Sequence, residues 1–364
     1  MILGVLGGGQ LARMLALAAH PLGVRVIALD PARDACVGSV ATHLCAAYDD
    51  VAALDELARQ CDVVTFEFEN VPAAALDRLA ARVPVRPGVE ALRVSSDRVA
   101  EKNLFRRLGM ATAGFAAPAV EADLDAAARD LGFPAILKTR HSGYDGKGQA
   151  LVRNAAELTA AWRALQGAPA ILEAHVPFQR ELSIIAARSV SGEIVCWPVS
   201  ENTHRAGILR VALSRSADPL QAQAEQQVRA LLEALDYVGV LALELFVVDG
   251  RLLANEFAPR VHNSGHWTPL GAETGQFENH VRAVLGLPLG ATKAIGHVAM
   301  VNFIGGLPDR AALLAVPNLH LELYDKVPKR GRKIGHATVR AADAAGCSVL
   351  AARLEALATA AADG

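Results

Sequence analysis

The chain has 364 residues and a mass of 38.2 kDa, and this length favours about two to three domains. Lys and Arg total 36 against 38 Asp and Glu, so the formal charge is −2, which argues against a general nucleic-acid binder. Apolar residues make up 52% and charged residues 20% of the chain, a balance typical of globular proteins and not of disordered ones.

Cysteine usage and the N-terminus indicate the compartment. The five cysteines are scattered and none forms a C-x-x-C pair, so we expect buried thiols in a reducing compartment and neither a disulfide framework nor a zinc knuckle. The N-terminus lacks a basic region before its apolar residues, and no run of about 18 apolar residues is free of charges and helix breakers. We therefore expect a soluble cytoplasmic protein without a signal peptide or a membrane span.

The first hundred residues alternate β-rich and helical patterns. Strands are predicted at 2–6, 24–29 and 63–68, and helices from about 10, across 51–59 and after Pro72. Such alternation is typical of βαβ units around a parallel sheet. The Pro- and Gly-containing stretch 83–88 is the predicted exit from this domain.

The middle of the chain predicts a different architecture. A helix over 97–108, with Ser96 as its N-cap, precedes a hairpin of strands 135–139 and 149–152 around a glycine-rich tip, and a helix over 155–165. Further strands at 171–173, 181–187, 194–199, 208–213, 240–248 and 252–257, with a helix over 218–235, predict an antiparallel α+β unit. Asp249-Gly250 is a strong hairpin signal. From about residue 294 short strands, a basic run and an alanine-rich helix follow.

The opening glycine run fits G-x-G-x-x-A through Gly7, Gly9 and Ala12, directly after a strand, and Asp30 ends the next strand. Glycines allow a phosphate to approach the backbone, and a helix N-terminus offers N–H groups. On its own the motif favours a nicotinamide-dependent oxidoreductase, and a tight turn that needs glycine for steric reasons is the plain alternative.

A second glycine run covers 142–149 and carries Lys147, just after a predicted strand ending in Lys138. It is no Walker A loop, because its glycines are wrongly spaced and no Ser or Thr follows the lysine. A flap over a triphosphate explains backbone donors combined with lysines. The alternative is an exposed hairpin tip.

Two carboxylates, Glu244 and Glu256, lie in the adjoining strands of the Asp249-Gly250 hairpin, among core residues. Pairing of these strands would bring them close, and with Asn255 they offer the oxygen ligands that Mg²⁺ prefers. Two glutamates on a solvated sheet face are the alternative.

The segment 258–266 gathers Arg260, His262, Asn263 and His266 on an irregular backbone. Its H-x-x-x-H spacing lacks the glutamate of a helical zinc motif, so an anion-binding loop is predicted. The basic run 326–333 is either a local phosphate site or a solvated face, since a nucleic-acid patch fits poorly with the neutral chain.

Five motifs occur in a set order: the opening glycine run, TFEFENV at 65–71, GYDGKGQ at 143–149, a segment around 201–209, and NEFAPRVHNSGH at 255–266. With them the chain resembles, from residue 1 to about 340, the 5-(carboxyamino)imidazole ribonucleotide synthase family of ATP-grasp enzymes. The resemblance implies the carboxylation of 5-aminoimidazole ribonucleotide by ATP and bicarbonate in purine biosynthesis.

The resemblance also implies the fold. This is an ATP-grasp fold, α/β and α+β in class, with an N-terminal Rossmann-like parallel-sheet domain at 1–96. The ATP-grasp domain would cover 97–290, divided into a small lid subdomain at 97–170 and a larger one at 171–290. A small β-rich C-terminal domain would cover 291–364, and the chain would form a homodimer.

By the same resemblance, each ligand has a predicted set of contacts. For ATP these are Arg98, Lys138, Gly143, Tyr144, Asp145, Gly146, Lys147, Gly148, Gln149, Glu173, Ala174, His175, Val176, Glu181, His204, Asn255 and Glu256. Magnesium would bind Glu244 and Glu256, and bicarbonate would lie near Arg260, His262 and Asn263. For the aminoimidazole ribonucleotide they are Gly8, Gly9, Gln10, Leu11, Glu69, Tyr144, Asp145, Lys326, Arg332 and Lys333, with Glu69 and Asp145 orienting the attacking amine. Besides the oxidoreductase, a ligand-binding regulator without turnover stays open as an alternative.

Overall fold

A computed structural model of the protein describes residues 1–141 and 148–362. The N-terminal part is a parallel sheet in the order β3-β2-β1-β4 flanked by helices, which confirms the βαβ prediction. Its elements are β1 (Ile2–Leu6), α1 (Gln10–Ala19), β2 (Arg25–Leu29), β3 (Thr42–Leu44), α2 (Val51–Gln60), β4 (Val63–Phe66), α3 (Ala73–Ala80) and α4 (Val89–Ser95).

The next part forms a small antiparallel sheet in the order β5-β8-β6-β7. Its elements are α5 (Arg98–Arg107), β5 (Phe115–Ala116), α6 (Leu124–Leu131), β6 (Ala135–Thr139), β7 (Gln149–Val152), α7 (Ala155–Ala164) and β8 (Ala170–Ala174). The predicted hairpin of β6 and β7 is confirmed. The N-cap of α5 is Asp97 and not Ser96, since the Asp97 carboxylate accepts the N–H groups of Val99 and Ala100.

A large antiparallel sheet follows. It is built from β9 (Arg180–Arg188), β10 (Ile194–Cys196), β11 (Ser200–Arg205), β12 (Ile208–Ser214), β13 (Gly239–Val248) and β14 (Arg251–Ala258), with helices α8 (Gln221–Ala234), α9 (Thr268–Gly271) and α10 (Gln276–Leu285). Asp249 and Gly250 form the predicted turn, both with positive φ. β11 was not predicted.

The C-terminal strands extend this sheet instead of forming one of their own. The order is β14-β13-β9-β11-β12-β15-β17-β16, with β10 paired to β9. The added elements are β15 (His297–Ile304), α11 (Arg310–Leu314), β16 (Leu319–Leu323), β17 (Lys333–Ala341) and α12 (Ala344–Ala362). Val211, Ala212 and Leu213 of β12 pair with β15, so backbone hydrogen bonds join the C-terminal part to the middle of the chain.

One continuous core joins the N-terminal part to the large sheet. Met14 and Leu15 of α1 belong to the same buried cluster as Phe277 and Val281 of α10. Thr65 of β4 also bonds a buried histidine of α10 through its hydroxyl. The parallel sheet is therefore held over one face of the large sheet, and the carboxyl ends of β1 and β4 lie beside the loop that follows β14.

One helix of the described chain, α12, is long and apolar enough to cross a membrane by length and composition alone, a test that buried core helices also pass. It carries Arg353 and Glu355, and its buried residues Cys347 and Leu354 pack in the same apolar cluster as β15 and β17. The five cysteines are free, as predicted, but only Cys36, Cys61 and Cys347 are buried, whereas Cys45 is exposed and Cys196 half-buried.

Candidate active site

The two strand carboxylates lie directly opposite each other. Glu244 of β13 and Glu256 of β14 are register partners beside an irregularity in the strand pairing, so the predicted approach of these two residues is confirmed. Burial and the neighbouring Glu256 raise the pKa of Glu244 to about 7. Burial acts in the same direction on Glu256, but Arg98 and Lys138 outweigh it and lower the pKa of that carboxyl.

Helix α5 supplies cations to these carboxylates. Arg98 contacts Glu256 at 2.7 Å. Lys102, which is 2% exposed, donates to the backbone oxygen of Asn255 at 3.0 Å, and Glu101 accepts the N–H of Phe257 at 2.7 Å. Sequence reasoning missed Glu101 and Lys102, although charges spaced by three and four residues on a helix flanked by an aspartate indicate one charged face.

The small sheet contributes a second ion pair. Lys138 of β6 contacts Glu173 of β8 at 2.8 Å, and Lys102 lies 3.6 Å from the other oxygen of Glu173. These cations lower the pKa of Glu173 although burial acts to raise it. The backbone then runs through Ala174, His175 and Val176 into the large sheet, with the N–H of Ala174 bonded to Gly114 at 2.8 Å.

Glu181 and His204 lie on the neighbouring strands β9 and β11, and the imidazole Nδ1 of His204 contacts the carboxylate of Glu181. Burial acts to lower the pKa of His204, but Glu181 and Glu244 outweigh it and raise that pKa. The pair therefore lies beside the Glu244 carboxylate, as part of the same charged cluster.

The loop after β14 holds the predicted anion-binding residues. Arg260 contacts Glu69 at 2.6 Å and also bonds the backbone oxygen of Val261. Within the described chain its buried Nε has no hydrogen-bond partner. His262 Nε2 lies 3.2 Å from Glu244 Oε1, and burial followed by the charge of Arg260 lowers the pKa of His262 well below its usual value.

Asn263 is held by a residue that sequence reasoning missed. Its side-chain amide exchanges two hydrogen bonds, of 3.0 and 2.7 Å, with the amide of Asn302 on β15. Asn302 is 1% exposed and also bonds the backbone oxygen of Leu209. In this structure the Asn263 side chain therefore fixes the loop to the C-terminal strands.

The N–H groups of the glycine loop are taken by carboxylates. Glu67, which is 8% exposed, accepts the N–H groups of Gly9 and Ala12, and Asp30 accepts that of Gly8 at 2.8 Å. Asp30 also accepts the hydroxyl proton of Tyr48 at 2.7 Å. Glu67 and Asp30 thus occupy three N–H groups that a dinucleotide phosphate would use, which argues against the oxidoreductase interpretation.

A cluster of cations lies over the glycine loop. The ammonium of Lys326 contacts Gln10 Oε1. Burial lowers the pKa of Lys326, the nearby Cys36 and Glu67 oppose this, and Arg332 and Lys333 lower it further. Leu11 is buried behind the loop. The structure thereby brings residues from both ends of the chain to one place.

The flap of the second glycine run lies mostly outside the described residues, because Gly143, Tyr144, Asp145, Gly146 and Lys147 fall within 142–147. The two described members, Gly148 and Gln149, connect to β6 and β7. The oxygen of Gly148 accepts the N–H of Thr139 at 2.8 Å, and Gln149 is the register partner of Lys138.

Two sheets that converge on paired carboxylates, lysines and an arginine define an ATP-grasp enzyme. Three family models agree: a ribonucleotide synthetase preATP-grasp domain at 1–96, an ATP-grasp domain at 103–277 and a phosphoribosylaminoimidazole carboxylase C-terminal domain at 298–348. The N5-carboxyaminoimidazole ribonucleotide synthase of Pseudomonas aeruginosa is 53% identical over 98% of this chain and 99% of its own length. The chain belongs to the N5-carboxyaminoimidazole ribonucleotide synthase family.

Solved structures show the same similarity. N5-carboxyaminoimidazole ribonucleotide synthetase from Thermus thermophilus has a TM-score of 0.94 and 49% identity, and 98% of each chain is covered. The N5-carboxyaminoimidazole synthase from Aspergillus clavatus, solved with ADP and 5-aminoimidazole ribonucleotide, has a TM-score of 0.91 and 30% identity over 99% of this chain and 98% of the other. The ATP-grasp fold predicted from the sequence is therefore confirmed.

Proposed function

We propose that this chain acts as an ATP-grasp ligase that carboxylates the amine of 5-aminoimidazole ribonucleotide with bicarbonate, through carboxyphosphate. The products are 5-(carboxyamino)imidazole ribonucleotide, ADP and phosphate. The observation that carries the proposal is a series of three contacts: Arg98 with Glu256, Glu244 with His262, and Arg260 with Glu69. The pairing of β13 with β14 and the loop after β14 bring these contacts together. This series runs from the carboxylates expected to face a nucleotide to the end of β4 beside the glycine loop.

Glu244 and Glu256 fit a magnesium ion. They are carboxylates on opposed strands, and the pKa of about 7 for Glu244 reflects burial together with a like charge, a cost that a divalent cation removes. Within residues 1–141 and 148–362 no group of three acidic, histidine or cysteine side chains is placed to hold an ion, so ATP oxygens would complete the coordination. A bound magnesium ion would supply neutralisation of phosphate charge.

The nucleotide would lie between the small and large sheets. Lys138 and Arg98 offer positive charge to its phosphates, and the backbone at 173–176 forms the connection that an adenine can contact. Glu181, His204 and Asn255 border this space. The remaining proposed contacts, Gly143 to Lys147, are in the flap.

Bicarbonate and carboxyphosphate would bind at Arg260 and His262. The Arg260 guanidinium is fixed by Glu69 and keeps a buried Nε without a partner in the described chain. Donors held in place in this way stabilise negative charge that develops during phosphoryl and carboxyl transfer. Asn263 supports the loop through Asn302.

The aminoimidazole ribonucleotide would bind between the glycine loop and the cation cluster. Lys326, Arg332 and Lys333 would hold its phosphate, since the N–H groups of Gly8, Gly9 and Ala12 are already bonded to Asp30 and Glu67. Gly8, Gly9, Gln10 and Leu11 would form the floor, and Glu69 and Asp145 would orient the amine. The chemistry then needs positioning and charge neutralisation, and no covalent nucleophile.

We further propose a cytoplasmic homodimer with domains at 1–96, 97–290 and 291–364. The matched family models, at 1–96, 103–277 and 298–348, support this division. The free cysteines agree with a reducing compartment.

The decisive experiment measures ADP release with Mg-ATP, with bicarbonate and 5-aminoimidazole ribonucleotide added separately and together. We expect strong stimulation that requires both substrates. Glu256→Gln should abolish magnesium-dependent ADP formation while the protein stays folded by circular dichroism. ATP binding without ADP release under every substrate combination would instead favour the non-catalytic regulator.

A further inference from the structure

A chain of buried hydrogen bonds ends on the imidazole of His262. The Nδ2 of Asn202 on β11 donates to Ser183 Oγ at 3.0 Å, and Ser183 Oγ on β9 donates to Ser264 Oγ at 2.7 Å. Ser264 Oγ then lies 2.8 Å from His262 Nδ1. Ser183 and Ser264 have no exposed surface, so solvent does not compete for these bonds.

The direction of this chain follows from one fixed donor, the backbone N–H of Ser264. With Nδ1 accepting from that group, the Ser264 hydroxyl donates to Nδ1 and accepts from Ser183. The backbone N–H of Ser264 also points to Nδ1, at 3.4 Å, and a backbone N–H can only donate. Nδ1 is thus an acceptor. With Nδ1 as the acceptor, the neutral ring carries its proton on the opposite nitrogen, Nε2, which faces Glu244 Oε1 at 3.2 Å.

We propose that Ser264, backed by Ser183 and Asn202, is a positioning residue that fixes His262 with Nδ1 as acceptor and its proton on Nε2. Nε2 then acts as a hydrogen-bond donor and not as a base: its proton faces Glu244 in this structure, and it would be donated to bicarbonate or carboxyphosphate once Glu244 binds magnesium. This inference rests on the proposed function for its catalytic meaning, but the tautomer itself is a property of the ligand-free protein.

The tautomer can be measured directly. In protein labelled with ¹⁵N-histidine, the His262 signals are assigned by their loss in His262→Gln, and long-range proton–nitrogen correlations show which nitrogen carries the proton. We expect the proton on Nε2 in the wild type and a mixture of tautomers in Ser264→Ala. A proton on Nδ1 in the wild type overturns the proposal, whether or not the enzyme shows the proposed activity.

Kinetics test whether Ser264 acts through the ring. We expect Ser264→Ala to lower the kcat of ADP formation by about 10- to 100-fold, and Ser183→Ala to lower it less. Ser264→Thr, which keeps the hydroxyl, should recover activity. In a His262→Ala background the Ser264→Ala change should have almost no further effect, because its target is gone.

Ser200→Ala is the matched control. Ser200 is also fully buried and donates to the backbone oxygen of Ser264, at 3.0 Å, without reaching the imidazole. Its removal weakens the same loop, so we expect its effect on kcat to persist in the His262→Ala background. If Ser264→Ala behaves in the same additive way, Ser264 only supports the loop and the proposal fails.

Discussion

Glu67 is a buried carboxylate whose two oxygens accept N–H groups at the start of α1. Burial raises its pKa, and the two amides and Lys326 oppose that rise. Glu67 also leaves no room for a side chain at two of the glycines. A Cβ on Gly7 would lie 2.4 Å from Glu67 Cγ, and one on Gly9 would lie 2.7 Å from Oε1. Glu67 therefore restricts the glycine loop at Gly7 and Gly9.

Glu67→Gln should weaken binding of the aminoimidazole ribonucleotide. The new amide turns a donor toward one of the two backbone N–H groups, at a cost of about 1–3 kcal/mol. We expect KM for the ribonucleotide to rise more than KM for ATP, in steady-state assays that vary each substrate. Glu56→Gln, at a partly exposed carboxylate of α2, is the matched control and should change neither constant. Equal increases in both constants for Glu67→Gln would contradict this role.

For individual residues, the sequence shows which charged side chains belong to a motif, but it does not show which partners they contact. Family resemblance points to Glu69 in TFEFENV, and the structure pairs Glu69 with Arg260. Nothing in the motif shows that Glu67, two residues earlier, folds back to the helix N-terminus, because that contact depends on the pairing of β1 with β4. Asn302 was missed for the same reason, since its partner lies 39 residues away.

Helix α5 carries Arg98, Glu101 and Lys102 to β14, and its N-cap fixes where it begins. Asp97 accepts the N–H of Val99 at 3.0 Å and also binds Arg140 through two bonds of 2.6 Å. One aspartate thus joins α5 to the residue that follows β6, next to the second glycine run. The position of the cations and the start of the flap are coupled through this residue.

Asp97→Ala should lower kcat/KM for ATP by about 10- to 100-fold, because Arg98 and Lys102 lose their alignment. Asp50→Ala removes an equivalent cap from α2, where the Asp50 carboxylate accepts the N–H of Ala53. Both variants should lose about 1 kcal/mol of unfolding free energy from the cap, Asp97→Ala somewhat more, but Asp50→Ala should keep its kcat/KM. Equal kinetic losses in both variants would show a general stability effect instead.

Helices and strands with an apolar face can mostly be predicted from the sequence, but a strand with polar buried residues, such as β11, cannot. The sequence of β11 is SENTHR, and its buried residues are Ser200 and Asn202. Both are polar, so the strand shows no alternation of apolar and polar residues, the signal by which strands are found. This unpredicted strand, β11, carries Asn202 of the hydrogen-bond chain and His204 of the candidate active site.

Histidines buried in the neutral state make the stability of the whole molecule sensitive to acid. Burial lowers the pKa of both His280 and His336 to about 3. The unfolded chain takes up these protons near pH 6.5, whereas the folded protein does not. The stabilisation is therefore complete above pH 6.5 and is lost as the pH falls toward 3.

Each such histidine should contribute a slope of about 1.4 kcal/mol per pH unit within that window. His280 accepts the N–H of Val240 and bonds Thr65. We expect His280→Gln to reduce the pH dependence of the unfolding free energy by about 1.4 kcal/mol per pH unit between pH 6.5 and 4, as measured by urea denaturation. His297→Gln, at an exposed histidine, should leave the slope unchanged. An unchanged slope in His280→Gln would show that this site does not control acid stability.

The pairing of distant strands in the large sheet could not be predicted from the sequence. Local periodicity indicated only short strands from about residue 294, without bounds, and it carries no information on which distant strand they pair with. A separate β-rich C-terminal unit is therefore a natural expectation. The observed pairing of β12 with β15 makes that unit part of the large sheet.

This shared sheet constrains how such enzymes can exchange parts during evolution. A recombination event that replaces the C-terminal segment must preserve the register of Val211, Ala212 and Leu213 with β15. It must also return Asn302 to Asn263 and Lys326 to Gln10, two contacts formed across the crossover point. We therefore expect a chimaera joined inside this sheet to lose these contacts, and activity with them, unless both parents share the strand register.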